Sequence, residues 1–426
     1  MRIRSTTEQD LGVFVDTLHA AFGMVPETPD ENGGGVWWAA LEPDRCLLAT
    51  TDGGRPVGTA GAYSFELTLP GGIIAPAAGV TCVGVLPTHR RQGVLTAMMR
   101  HQLDGLRERG EFLSVLLASE AVIYRRYGYG PATYTGRLTV QRHKAAFAAP
   151  RAGGVPATGT PSRATGSDTG TDSATGSGSA TGSVEVLRRA ECGDVLEEVY
   201  DRYRRAQPGA LSRPHRWWTR GAGRPPVAAA PRYIAVHRDA DGVPDGYAAY
   251  SRADSTLTVD ETVATGDAAF TALARFALGH DLVTEVVFKH LPYEHPLRWQ
   301  LADFRAGEAS GDTDWLWVRI LDVPRALTAR GWSTDGELVL DVDDPFLAER
   351  GRWLLTVRDG RATCVPTDRS PDLSLDVSDL SSLYLGGTTP STLVRAGHIR
   401  AHHPDAPARA DTLFGTERKP HCLHWF

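Results

Sequence analysis

The sequence predicts two mixed-sheet α/β units in tandem, followed by a C-terminal α+β unit. Three observations carry this prediction. The chain has 426 residues, 42% of them hydrophobic, which is too long for one ordinary core and apolar enough for several. Strand-like and helix-like runs alternate up to residue 150 and recur in similar order after 185, as a diverged duplication would leave them. Near residue 313 the pattern changes to closely spaced strands with short helices. The predicted boundaries are 1–150, 185–305 and 306–426.

In the first unit, "EQDLGVFVDTLHAAFG" (8–23) reads as a helix. "RCLLATT" and "PVGTAGAYSFELTLP" read as strands joined by the turn "DGGRP". "AGVTCVGVLP" (78–87) is apolar on both faces, as a central strand is. Leu95, Met98, Met99, Leu103 and Leu106 fall at helical spacing, and Gly110 closes that helix. "FLSVLLAS" is a buried strand, "EAVIYRRYGYG" a short helix and turn, and "YTGRLTVQRH" a final strand.

Residues 151–184, largely Gly, Ser, Thr and Ala, have almost nothing to bury and predict a disordered low-complexity insert. The second unit repeats strand and helix in "VEVLRRAECGDVLEEVYDRYRRAQPG". Turn-linked strands in 232–265, the helix "DAAFTALARFALGH" and the strand "LVTEVVFKHL" follow. The third unit begins with "DWLWVRILDVPRALTARGW" and ends in the apolar run "CLHWF".

Net charge is −6, which argues against a nucleic-acid binder. Five scattered cysteines with no CxxC suggest neither a disulfide framework nor a zinc site. His398, His402 and His403 lack acidic or Cys partners at ligand spacing, so no metal is expected. "MRIRSTTEQD" has no apolar leader core and no window is long enough to span a bilayer, so a cytoplasmic protein is expected.

The stretch "GVLPTHRRQGVLTAMM" (84–99) joins a buried strand to a helix through a basic, Gly-containing turn. The first N–H groups of a helix lack intrahelical partners, and the helix dipole favours an anion there. Gly93 lets a pyrophosphate approach the backbone, and Arg90 and Arg91 supply charge-assisted bonds. A solvated basic helix start is the plain alternative. The turn is neither a Walker A loop nor GxGxxG.

"RRQGVL" resembles the Q/R-x-x-G-x-G/A turn of the GNAT superfamily of N-acetyltransferases, with Leu95 at the usual Gly/Ala position. "IYRRYGY" (123–129) resembles that superfamily's aromatic second signature. With "ASEAVIYRRYGYGPAT" and "SLYLG", the chain outside the insert resembles the enhanced intracellular survival (Eis) family. The resemblance implies two fused GNAT-type domains, a domain like sterol carrier protein, and usually a hexamer. It implies acetylation of aminoglycosides, other amines or protein lysines, with acetyl-CoA as cosubstrate.

By position, Val83, Gly84 and Val85 are then expected to bind the pantetheine arm through their backbone. Arg91, Gln92, Gly93, Val94, Leu95 and Thr96 surround the pyrophosphate, and Ser119 and Glu120 lie beside the cofactor. Tyr124 is the implied general acid and the α-carboxylate of the last residue, Phe426, the implied base. A Tyr hydroxyl can protonate a leaving thiolate, and an α-carboxyl is ionised at neutral pH. Phe22, Trp37, Trp38 and Trp425 are substrate-pocket candidates, although Trp37 and Trp38 suit a core equally well. His424 and Trp425 stand where an acidic neighbour would help to attract a cation, a departure that questions the family's cationic substrates here. The second unit has no basic R-x-x-G turn and carries acidic residues around Asp260 and Glu261, so it is expected to bind no cofactor. A lipid or sterol carrier, or an acyl-CoA-binding regulator without turnover, are the other readings.

Overall fold

The protein is described by a computed structural model covering residues 1–24, 40–148, 182–188, 191–219, 233–292 and 294–426. The first part of the chain forms β1 (Arg2–Ser5), α1 (Leu11–Phe22), β2 (Leu47–Thr50), β3 (Pro56–Leu69) and β4 (Ile73–Val85). Next come α2 (Val94–Glu108), β5 (Leu113–Leu117), α3 (Ala121–Tyr124), β6 (Gly130–Pro131) and β7 (Tyr134–Gln141). The spacing read as helical in the sequence turns Met98, Met99, Leu103 and Leu106 of α2 inward, all of them buried.

The middle part forms β8 (Ser183–Arg188), α4 (Val195–Ala206), α5 (His215–Thr219), β9 (Tyr233–Arg238), β10 (Pro244–Ala253) and β11 (Thr256–Ala264). It continues with α6 (Asp267–Leu278), β12 (Glu285–Leu291), α7 (Leu297–Gln300), β13 (Gly307–Asp314) and β14 (Leu316–Ile320). Most of the expected insert lies outside the described residues, but Ser183 and Val184, assigned to it, already pair with Arg238 and His237.

The sheets do not respect contiguous boundaries. The first has the order β1-β2-β3-β4-β5-β14-β6, and the second β13-β7-β12-β11-β10-β9-β8. So β7, expected to finish the first unit, lies in the second sheet, with Leu138 and Val140 in that unit's core. Conversely β14, expected in the third unit, sits antiparallel to β5 with Trp317 opposite Leu116. An apolar strand is stabilised by whichever sheet buries it, and its sequence does not name the neighbour.

The third unit is therefore shorter than expected. It comprises α8 (Val323–Ala329), β15 (Gly336–Asp344), β16 (Glu349–Arg358), β17 (Arg361–Pro366), β18 (Leu373–Asp376), α9 (Val377–Leu383), α10 (Pro390–Arg395), β19 (Arg400–Ala401) and α11 (Ala406–Phe414). Asp322 and Asp376 cap α8 and α9, accepting from Arg325 N and Ser378 N. One apolar core runs from Phe65 and Val115 of the first sheet to Leu340, Tyr384 and Phe414 of this unit. Arg319 on β14, fully buried, joins the two through Asp344 of β15. No helix among the described residues is long and apolar enough to cross a membrane.

Candidate active site

The site begins where β4 and β5 part. These parallel strands pair only at Ala78–Ser114 and Gly79–Val115. Beyond that, β4 runs on to Val85 with β3 on one side and an open edge on the other. Ser114 Oγ sits at the fork, 3.2 Å from Ala78 O and 2.7 Å from Tyr129 Oη. The β3 pairing shifts between Thr59 and Gly61, and Cys82 takes a left-handed φ of 54°. Thr59 Oγ1 donates to Cys82 O at 2.8 Å and holds this bulge, which re-aims the backbone of Val83, Gly84 and Val85.

The turn behind β4 feeds α2 through two left-handed residues, Arg91 (φ 61°) and Gly93 (φ 80°). A Cβ at Gly93 would meet nothing within 4 Å, so conformation and not crowding calls for glycine. Ala97 N bonds Gly93 O at 3.0 Å, leaving the earlier N–H groups of α2 without an intrahelical acceptor.

A cleft of about 550 Å³ lies between the fork and the mouth of α2. Val83, Gly84, Val85, Arg90, Arg91, Gly93, Val94, Leu95, Thr96, Ser119, Glu120 and Tyr124 all border it. An acyl-CoA fits these walls chemically. Open strand amides suit the pantetheine arm, and unpaired helix N–H groups beside cations suit the pyrophosphate. Gln92 does not border the cleft; its Nε2 donates back to Thr88 O at 3.2 Å. Arg90 turns toward α1, where its Nη2 donates to Ala21 O at 3.1 Å, a cation at a helix C-terminus. Arg91 makes no hydrogen bond among the described residues.

Phe22, expected in a substrate pocket, instead lines this cleft at the end of α1. Trp37 and Trp38 lie outside the described residues. Arg126 was not foreseen as a site residue, yet it is exposed and borders the cleft beside Tyr127. The doubled arginine of "IYRRYGY" was the available signal. Its other member, Arg125, pairs with Asp379 of α9 at 2.5 Å.

Tyr124 is 7% exposed and packs edge-on against Tyr129 at 6.1 Å. Burial raises its pKa, and a hydrogen bond with Ser119 opposes the rise. Tyr124 belongs to the core on the α2 face of the sheet, with Ala62, Ala78 and Leu116. Phe426 reaches the same fork on the other face. Its ring lies edge-on to Phe65 at 5.0 Å and to Tyr63 at 6.4 Å. A Cβ on Gly79 would strike the Phe65 ring and come within 3.1 Å of Phe426 Cε2. Trp425 beside it is 40% exposed.

The second unit has its own fork. The parallel strands β11 and β12 pair from Thr256–Glu285 to Val259–Phe288 and then part. Asp267 stands in the first turn of α6, where an anion would need a donor. The space there is bordered by the chain's own Glu417, Arg418, Lys419 and His421. Burial holds the His421 imidazole down at about 3.

Comparison with known proteins agrees with this geometry. Residues 2–132 and 209–320 match acetyltransferase (GNAT) domain families, and residues 323–423 match the sterol carrier protein domain. The chain is 34% identical to the N-acetyltransferase Eis of Mycobacterium tuberculosis over 395 residues, 89% of each chain. It is 35% identical to an uncharacterized N-acetyltransferase of Streptomyces griseus over 433 residues, 99% of this chain and 98% of that one. The structure of Eis1 from Mycobacterium abscessus superposes over the whole of both chains with a TM-score of 0.82 and 32% identity. With two GNAT folds, a carrier-like third domain and relatives matched almost end to end, the chain belongs to the Eis family of GNAT-type, acetyl-CoA-using N-acetyltransferases.

Proposed function

We propose that the protein transfers acetyl from acetyl-CoA to a primary amine of a small molecule or protein lysine by direct attack in a ternary complex. The observation that carries this reading is the fork. Tyr124 approaches it on one face and the C-terminal residue on the other, while the helix mouth and basic turn lie along its edge. The amine attacks the acetyl carbon, and the C–S bond breaks. Tyr124 Oη gives its proton to the departing thiolate, and the Phe426 carboxylate takes the proton the amine sheds. Val83, Gly84 and Val85 bind pantetheine through their backbone; Arg91 and the first N–H groups of α2 hold the pyrophosphate.

The amine enters from the Phe426 face. A cavity of about 430 Å³ beside Phe65 is bordered by Glu66, Glu197 and Asp201 together with Arg204 and Arg213; Arg204 pairs with Glu66 at 2.9 Å and with Asp201 at 2.7 Å, and His215 meets Glu197 at 2.8 Å. Polyamines and aminoglycoside-like amines are the substrate class that family resemblance adds to this reading. Family resemblance also adds a hexamer, and a cytoplasmic location is part of the same proposal.

The test is the position of the terminal charge. Adding one residue after Phe426 should depress turnover strongly, while a tag at Met1, whose amino group meets the exposed Asp52, should not. Amidating Phe426 removes the charge and keeps the ring. Normal amine acetylation by a C-terminally extended protein, its terminus verified by mass spectrometry, would overturn the assignment.

A further inference from the structure

The last backbone–backbone hydrogen bond of the tail among the described residues is His421 N to Pro208 O at 2.8 Å. Beyond it, Cys422 and Leu423 are buried in the apolar cores, and the polar anchors fall on His424, whose ring is fully buried. Trp315 Nε1 donates to His424 O at 3.3 Å, and Arg213 Nε donates to His424 Nδ1 at 3.0 Å. We infer that Arg213 and Glu261 of the second unit are positioning residues for acetyl transfer, fixing His424 and through it the α-carboxylate of Phe426. This rests on the reading of that carboxylate as the base.

The geometry is restrictive. The two terminal nitrogens of Arg213 face Glu261, at 2.7 and 3.4 Å, and Tyr247 Oη donates to the same carboxylate at 2.7 Å. A fork bound this way uses two of the five N–H donors and leaves Nε–H free to point at His424. The guanidinium also lies over the Tyr200 ring at 4.1 Å, which fixes its plane. His424 must therefore present Nδ1 as an acceptor. Its ring stacks on Phe426 at 5.9 Å with planes 19° apart, and both rings meet Phe65 edge-on. The acceptor held by Arg213 and the carbonyl held by Trp315 thus fix the main chain at residue 424, two residues before the terminal carboxylate, while the ring contacts add packing. Residues 209–212 anchor Arg213 in turn, through Thr68 N to Ala210 O at 2.9 Å and Ser212 N to Glu66 O at 2.8 Å on β3. The acidic stretch that looked like a missing phosphate turn holds a charge that orients the tail.

Two substitutions separate orientation from packing. His424→Phe keeps an aromatic ring but leaves Arg213 Nε–H with no acceptor. His424→Asn loses the ring and keeps an acceptor oxygen. We expect His424→Phe to lower kcat about 10- to 100-fold, as a misplaced reacting group does, with acetyl-CoA affinity by calorimetry unchanged. His424→Asn should recover kcat to within about threefold of the parent. Equal losses, or the reverse order, would mean that ring packing alone matters and would overturn the inference. Glu261→Gln should lower kcat in the full chain and add no further loss in a chain lacking Phe426; multiplied losses would also overturn it. If Glu261→Gln fails to fold, the His424 pair carries the test. If removing Phe426 leaves turnover intact, the base assignment itself fails. If removal abolishes turnover while His424→Phe keeps it, only the positioning role fails.

Discussion

Replacing Tyr124 with Phe removes one hydroxyl and little else. The ring is 7% exposed and its edge-on contact with Tyr129 survives the change. The lost contact is the hydrogen bond with Ser119, so stability should fall by only about 0.5–1.5 kcal/mol. Turnover should fall far more. A positioned acid contributes about 10²–10⁴-fold, or ~2.7–5.4 kcal/mol of barrier at about 1.36 kcal/mol per decade. The loss should appear in kcat, with acetyl-CoA affinity nearly unchanged, because the hydroxyl acts on the departing sulfur and not on the pyrophosphate or pantetheine. The pH dependence has a definite sign. A proton donor works while protonated, so its contribution is present below its pKa and lost as pH rises through it. Burial raises the Tyr124 pKa above the ordinary value of 10.0, so no alkaline loss from this group should occur below about pH 10. Free-thiol release under saturating acetyl-CoA, with calorimetry and thermal melting on the same protein, reads all three quantities. A folded Tyr124→Phe protein with parental kcat would refute the acid role.

Three further outcomes are expected. Arg91→Glu should weaken acetyl-CoA binding about ten- to a hundredfold by calorimetry, since a charge-assisted contact contributes ~1.5–3 kcal/mol; unchanged affinity would remove Arg91 from the site. Gly79→Ala should cost about 1–3 kcal/mol in denaturant melts and lower turnover, because the new methyl strikes Phe65, which is packed against Tyr63, Trp217 and His424, and crowds Phe426. Saturation titration should give one acetyl-CoA per chain, since the second fork has an acidic helix start and is bordered by the tail; two equivalent sites would contradict this.

What the sequence determined by itself was local. The period of α2 fixed which face carries Met98, Met99, Leu103 and Leu106, because helical spacing alone decides that. The turn into α2 was legible because a left-handed position before a helix calls for glycine, and Gly93 occupies one. The tertiary structure decided what depends on distant partners. Arg90 and Arg91 are adjacent and chemically alike, yet only the approach of α1 draws Arg90 to Ala21 O. The strands β7 and β14 exchanged sheets because an apolar strand specifies burial and not its neighbour. Glu261 read as an acidic residue in a poor phosphate turn. Its role depends on Arg213, 48 residues earlier, and on a histidine at the far end of the chain. A charge pattern shows that such a residue needs a partner once buried, but only the fold brings that partner to it.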